Sequence, residues 1–377
     1  MKRPSNILLA ALSLLLIFAL TACNSSETEP TTSPTDTPAA DATENTIAPE
    51  APEVPALEQT TFKIGHLNST AHLLAFVAQE EGYFAEEGLD AELLLFASSG
   101  EMVQGLNSGS LDAALIGSVP TITFQSQDNP ITIFGGAMTN GHGYVIKPEF
   151  TDGLESWDIT ILRGRNVATV KNSIQDLQLL LLLDEAGLVP GVDVNVVYFD
   201  SQKDAYNALQ GAEIDAASVY SPYASLAQSQ GYDVVFYCSE IEHFHNQPCC
   251  RQVAPTQALL DKPNTYTAFE RALIKAYKFS QENRDDTIAD VKKYIDIEDE
   301  LLRVEIYGGY SFSVPDPDRI ATTELKEQIV DFGYTTDYDI DALYNVDIYR
   351  AALYSILEEY PDDTVYKELE IRFEENN

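Results

Sequence analysis

Basic residues are scarce in this chain. Only 22 Lys and Arg stand against 60 Asp and Glu, giving a formal net charge of −38 over 377 residues. A surface that acidic repels phosphate backbones and anionic headgroups, which argues against nucleic acid as a partner. An anionic small molecule gains no long-range attraction either and would need local donors. Cysteine is scarce too, with four residues. With Cys23 set aside, as argued below, Cys238, Cys249 and Cys250 remain, enough for one internal disulfide at most, so this is not a disulfide-stapled scaffold. Long apolar runs are also missing. The run from Ile7 to Leu20 falls short of the roughly 20 residues that span a bilayer core, and "LQLLLLLDEAGL" is cut by Asp184 and Glu185.

What is present begins with "MKRPSNILLAALSLLLIFALTAC". Lys2 and Arg3, an apolar stretch and small residues before a cysteine form the three-part layout of a secretory signal over residues 1–22. The ending "LTAC", Leu20 to Cys23, resembles the lipobox of bacterial lipoproteins. That resemblance implies cleavage before Cys23, lipidation of its thiol, and residence on the extracytoplasmic face of the cell membrane through the lipid alone. Residues 23–58 are rich in Thr, Pro, Ala and Glu, and Asn24 to Leu57 contain no Lys or Arg. Such a segment buries too little apolar surface to offset its ordering entropy and is expected to be a disordered acidic tether.

The remainder exceeds what one core usually holds, so two lobes are expected. Short β-rich runs alternate with helical ones: "FKIGHL", "DAELLLF", "DAALIG" and "ITIFGGAM" read as strands, while "AHLLAFVAQEEGYFAEEG", "GEMVQGLNSG" and "VPTITFQSQ" read as helices. The pattern restarts with the strands "NVATVK", "VNVVYF", "IDAASVY" and "DVVFYC", again separated by helices. This alternation predicts mostly parallel sheets covered by helices. Beyond "PCCRQVAPTQALL" the chain becomes helical, and Tyr and Phe at helical spacing there read as packing residues rather than a cofactor box.

The phrases "GYFAEEGLDAEL", "LNSGSLDAALIGSVP", "VATVKNSIQDLQLLLLLDEAGL" and "ALQGAEIDAASVYSPY" occur in the order they take in a known family. From Thr60 to Arg350 the chain resembles the type II periplasmic-binding-protein family, in its nitrate/sulfonate/taurine and thiamine-pyrimidine-precursor branch. The resemblance implies an α/β fold of two lobes, each a mostly parallel sheet flanked by helices, with extra C-terminal helices. Lobe I would comprise residues 59–140 and 252–377, and lobe II residues 141–251. It further implies a monomer that takes a small-molecule ligand between the lobes and delivers it to ABC permease and ATPase subunits, with no cofactor and no catalysis. Enzymes of thiamine-pyrimidine synthesis or small-molecule lysis on the same scaffold, and sensory receptors, are the alternatives.

Strand-to-helix junctions in parallel α/β sheets converge, and helix starts carry unpaired N–H groups suited to anionic or polar ligand atoms. The junctions contribute Asn68, Ser69, Thr70, Ser98, Ser99, Gly117, Ser118, Asn172 and Ser173 as candidate ligand-binding residues. Each hydroxyl or amide is equally a helix N-cap. His142 lies between glycines in the first crossing between lobes, Tyr220 ends a strand where relatives carry an aromatic, and Arg251 could pair a carboxylate or sulfonate. The cluster Cys238, His243, His245, Cys249 and Cys250 fits none of the usual zinc spacings, so no metal is expected. A disulfide between Cys238 and either neighbour, a ring between Cys249 and Cys250, a nucleophilic thiol, and a cleft wall made of "PCCR" all stay open, with the cleft wall preferred.

Overall fold

The structure, a computed structural model, describes residues 56–377 apart from Trp157. The leader, Cys23 and nearly all of the tether lie outside the described residues. The tether's expected end at Glu58 is corrected: the Glu58 carboxylate accepts from the backbone N–H groups of Asn264 and Thr265, at the start of the helix Pro263–Glu282. A carboxylate at a helix N-terminus satisfies orphan donors and favours the dipole, so Glu58 belongs to the folded body.

The strands in chain order are β1 (Thr61–His66), β2 (Asp90–Leu95), β3 (Ala113–Gly117), β4 (Ile131–Asn140), β5 (His142–Ile146), β6 (Asn166–Val170), β7 (Asn195–Phe199), β8 (Ala216–Tyr220), β9 (Asp233–Tyr237), β10 (Pro248–Pro255) and β11 (Ser311–Ser313). They form two sheets with the orders β11-β4-β10-β3-β1-β2 and β7-β6-β8-β5-β9. Strands β1, β2 and β3 are parallel, as are β6, β7 and β8. The sheets are mixed rather than mostly parallel, because β4, β5, β9, β10 and β11 pair antiparallel. One of these, β5, starts at His142, in the stretch expected to be the first crossing between lobes. Between β4 and β5, Asn140 and Gly141 both take positive φ, and these left-handed residues turn the chain from one sheet into the other.

The helices that matter for the site are α1 (Leu73–Glu80), α2 (Tyr83–Glu86), α3 (Ser99–Ser108), α4 (Ser118–Gln125), α5 (Ile174–Glu185) and α6 (Gln202–Leu209). The sequence suggested one helix across α1 and α2, but Gly82 at φ 79° breaks it. The first sheet packs on the helix Pro263–Glu282 through Phe62, Phe134, Tyr266 and Phe269, all fully buried. The ring pair Phe62–Tyr266 meets edge-on at 5.3 Å, a geometry that the aromatic quadrupole favours. Scarce cations are spent inside this body: Arg271 binds Glu87 and Glu359, each at 2.7 Å, while Lys275 reaches Glu87 at 2.6 Å. This is one reason few are left to face a ligand.

Candidate functional site

The carboxyl ends of β1, β2 and β3 in one sheet and of β6, β7 and β8 in the other open onto one cleft of about 240 Å³. Five helix N-cap residues line it: Ser69, Ser98, Gly117, Ser173 and Ser201. The serine oxygens are occupied as caps, with Ser98 accepting from Glu101 N–H at 3.3 Å and Ser173 from Asp176 N–H at 3.2 Å. The earliest N–H groups of each helix have no partner within the helix and face the cleft end. Aligned peptide dipoles add a partial positive charge at the starts of α3, α4, α5 and α6, whereas Ser69 caps a three-residue turn ahead of α1.

Of the residues expected at the site, Ser69, Ser98, Ser99, Gly117, His142, Asn172, Ser173, Tyr220, Cys249 and Cys250 line the cleft. Four others do not. Asn68 is exposed outside it. Ser118 is fully buried behind its helix start. Thr70 is turned across to Ser221, to whose hydroxyl it hydrogen-bonds, while Ser69 Oγ donates to the Ser221 carbonyl at 3.0 Å. These two bonds join the first sheet's junction to the end of β8, so Thr70 clasps the cleft rather than lining it.

Arg251 is the larger correction. Its guanidinium is 1% exposed and points away from the cleft, donating from Nε to Thr322 Oγ1 at 3.2 Å and from Nη1 to the Cys250 carbonyl at 3.0 Å. The sequence reading rested on adjacency to the cysteines, but successive side chains of a strand diverge, and Arg251 belongs to the structural interior. Arg251→Lys should therefore leave ligand affinity within about threefold while lowering stability by about 1–3 kcal/mol, since a planar fork is replaced by a point charge. Paired calorimetric titration and denaturant unfolding would check this.

Sequence reasoning missed Lys171, Gln175, Asp200 and Gln202, all of which line the cleft. Gln175 and Gln202 are buried and linked by a 2.9 Å hydrogen bond from Gln175 Nε2 to Gln202 Oε1. Each follows closely on an N-cap serine, so the cap positions could have pointed to them. Among the described residues, Lys171 and Asp200 are the charged side chains of the lining.

His142 sits at the start of β5, opposite Tyr220 in the antiparallel register. It is buried at the cleft, and among the described residues neither ring nitrogen has a hydrogen-bond partner. Burial lowers its pKa to about 3, so the ring is neutral and offers one donor and one acceptor. Burial pushes the Tyr220 hydroxyl well above its usual range, so it remains a donor. The sign of the pH effect follows. The unfolded His142 protonates near 6.5 while the folded one resists, so acid favours unfolding. The contribution is intact above about pH 6.5 and erodes as pH falls toward 3. His142→Gln should lose about 2 kcal/mol less stability than the parent between pH 6.5 and 4.5, as read by urea midpoints at each pH.

The three described cysteines are free and buried. Cys238 is away from the cleft lining, with its thiol donating to Gln178 Oε1 at 2.9 Å. Among the described residues no group of His, Cys, Asp and Glu is arranged to hold a metal ion.

The profile of the NMT1-like family matches residues 55–296. A Brucella abortus protein named as a binding protein is 21% identical over 264 residues, covering 70% of this chain and 80% of that relative. The periplasmic nitrate-binding protein NrtA from Synechocystis PCC 6803 superposes with a TM-score of 0.70 at 19% identity, covering 80% of this chain and 90% of that one. The periplasmic aliphatic sulphonate binding protein SsuA from Escherichia coli gives a TM-score of 0.64 at 18% identity, covering 77% and 99%. At these identities the structural likeness establishes the fold.

Proposed function

The chain belongs to the NMT1-like family, and from that premise we propose that it is a lipid-anchored extracytoplasmic solute-binding protein that captures a sulfonate- or nitrate-like oxyanion and delivers it to an ABC permease and ATPase. The observation that carries this reading is the convergence of five helix N-caps from two sheets on one cleft. Dipole ends and free N–H groups provide local donors of the kind a strongly acidic protein needs to hold an anion. Relatives that bind nitrate and aliphatic sulphonates have the same fold. The neutral His142 and the Tyr220 hydroxyl give directional bonds to the ligand, and Phe124 gives an apolar wall for its tail.

Residues 59–140 with 248–377 act as one lobe and 141–247 as the other; the expected boundary after Arg251 is moved back because β10 pairs with β3 and β4 in the first sheet. Capture works by differential affinity: ligand binds the closed arrangement better and shifts the population toward it. The bonds from Ser69 and Thr70 to Ser221 belong to that closed arrangement, and the closed face is what the permease reads. Lipidation of Cys23 keeps the receptor beside the membrane.

Thermal-shift screening of nitrate, alkanesulfonates, taurine, aromatic acids and pyrimidines, followed by native mass spectrometry, tests the reading. A ligand at a hundred times its Kd stabilises the native state by about 2.7 kcal/mol, so oxyanions should raise the melting point. Stabilisation by pyrimidines alone would transfer the site to heteroaromatic ligands. Product appearing in the mixtures would favour an enzyme, and a flat panel with no retained small molecule would reject the proposal.

A further inference from the structure

Strand β10 opens on Pro248, Cys249 and Cys250. In a regular strand adjacent side chains point to opposite faces, yet here the pairing with β4 shifts register between Pro248 and Cys250 and again between Cys250 and Arg251. The irregularity brings both thiols to one side: the sulfurs are 3.4 Å apart, and both residues line the cleft. Bulges re-aim side chains in this way next to functional sites.

The surroundings make the two sulfurs unequal. The Leu67 N–H donates to His72 Nδ1 at 2.9 Å, which fixes the ring proton on Nε2, a buried atom on the Cys250 side of the ring. The Cys249 thiol, bonded to the Cys250 sulfur, is the main influence holding Cys250 below the usual thiol range, with His72 and Arg251 adding to it. Cys249 moves the opposite way, pushed well up by the same bond and by burial. Of the two, Cys250 is thus the sulfur that ionises more readily, and Cys249 is the one that holds the shared proton.

We propose that Cys249 and Cys250 form a reversible dithiol–disulfide site in the cleft wall, oxidised by hydrogen peroxide, and that its oxidation closes the cleft to ligand. The second half rests on the binding function above; the first does not. In the first step the Cys250 thiolate attacks one peroxide oxygen, the O–O bond breaks, and Cys250 becomes a sulfenic acid as hydroxide leaves. The Cys249 proton neutralises that hydroxide to water. The Cys249 thiolate then attacks the Cys250 sulfur, the S–O bond breaks, and hydroxide departs, to be neutralised by the proton Cys250 gave up on ionising. In sum two thiols and one peroxide give one disulfide and two waters.

Adjacent Cα atoms lie about 3.8 Å apart, short of the usual disulfide range of about 4.4–6.8 Å, so the ring is strained and easily reduced. That suits a reversible device and not a structural staple. Closing the ring draws the sulfurs together and removes the S–H donor beside His142 and Tyr220.

The test treats the folded full chain with hydrogen peroxide, alkylates free thiols and cleaves after glutamate. Cleavage after Glu242 and Glu270 yields a peptide carrying Cys249 and Cys250 without Cys238. That peptide should lose two hydrogens and recover them with dithiothreitol. Cys249→Ser should leave a sulfenic acid on Cys250 that dimedone traps, and Cys250→Ser should give at least tenfold less adduct. Alkylation of both thiols after peroxide, pairing of Cys238 with either, or equal adduct in the two variants would overturn the site. The parent measurement stands even if a variant folds poorly. For the second half, the melting-point rise given by the best oxyanion of the screen should disappear on oxidation and return on reduction; an unchanged rise with the disulfide formed would overturn the gating. A panel without any hit defeats the binding function while the mass measurement still decides the redox pair.

Discussion

Replacing Lys171 with alanine should weaken capture of nitrate or a sulfonate by about ten- to a hundredfold, with little change in melting point. The magnitude follows from a hydrogen bond to a charged partner, about 1.5–3 kcal/mol, at tenfold per 1.4 kcal/mol. Among the described residues Lys171 is the one cation lining the cleft, in a protein with 22 Lys and Arg against 60 acids, so no described neighbouring cation takes over. The side chain is exposed at the end of β6, which is why stability should hardly respond. Isothermal titration of parent, Lys171→Ala and Lys171→Gln with the same oxyanion would measure it. Both variants should lose affinity alike, because the charge is what matters. A neutral heteroaromatic ligand would barely notice either change, so unchanged affinity would move the ligand class away from oxyanions. Asp200, across the same lining, gives the complementary expectation: Asp200→Asn should tighten a simple anion and weaken an amino-sulfonate whose ammonium it can pair.

The period of the apolar residues made the strands legible. "FKIGHL" and "DAALIG" could be read as strands because turn residues bound short apolar runs, and the cap serines marked where the helices start. The site was therefore legible where it is made of caps, at Ser69, Ser98 and Ser173. It was illegible where direction matters. Adjacency in sequence put Arg251 beside the cysteines, but a strand sends neighbours to opposite faces, and only the bulge in β10 decides which residues share a face. Thr70 looked like a cap-loop donor, yet Ser221, 151 residues away, claims it. The strand β5 hid behind "GHG" because its partners β8 and β9 lie far along the chain. Long-range pairing, not local propensity, makes that segment extended, as β-propensity depends on context.

Gly136→Ala should destabilise the protein by about 3 kcal/mol or more, the upper end for overpacking. A Cβ there would stand 2.0 Å from the Asp316 carbonyl oxygen and 2.6 Å from that of Val314. Both are backbone atoms and cannot swing aside as a side chain would. The segment is held close because the Gly136 N–H donates to the Pro315 carbonyl at 2.7 Å, so relief of the clash sacrifices that bond. Asp316 is fully buried, with a carboxyl that burial raises to about 6, and displacing its backbone disturbs a group with no easy route to water. Gly109, at φ 72° with no atom within 4 Å of an added Cβ, is the control: alanine there meets only left-handed strain, about 1–2 kcal/mol. Urea unfolding of both variants separates the two causes. A Gly136→Ala protein as stable as Gly109→Ala would mean that the segment after β11 yields freely. Strand β4 would then be a poor anchor for the Asn140–Gly141 turn between the sheets, and a hinge without a firm base could not transmit closure around a ligand.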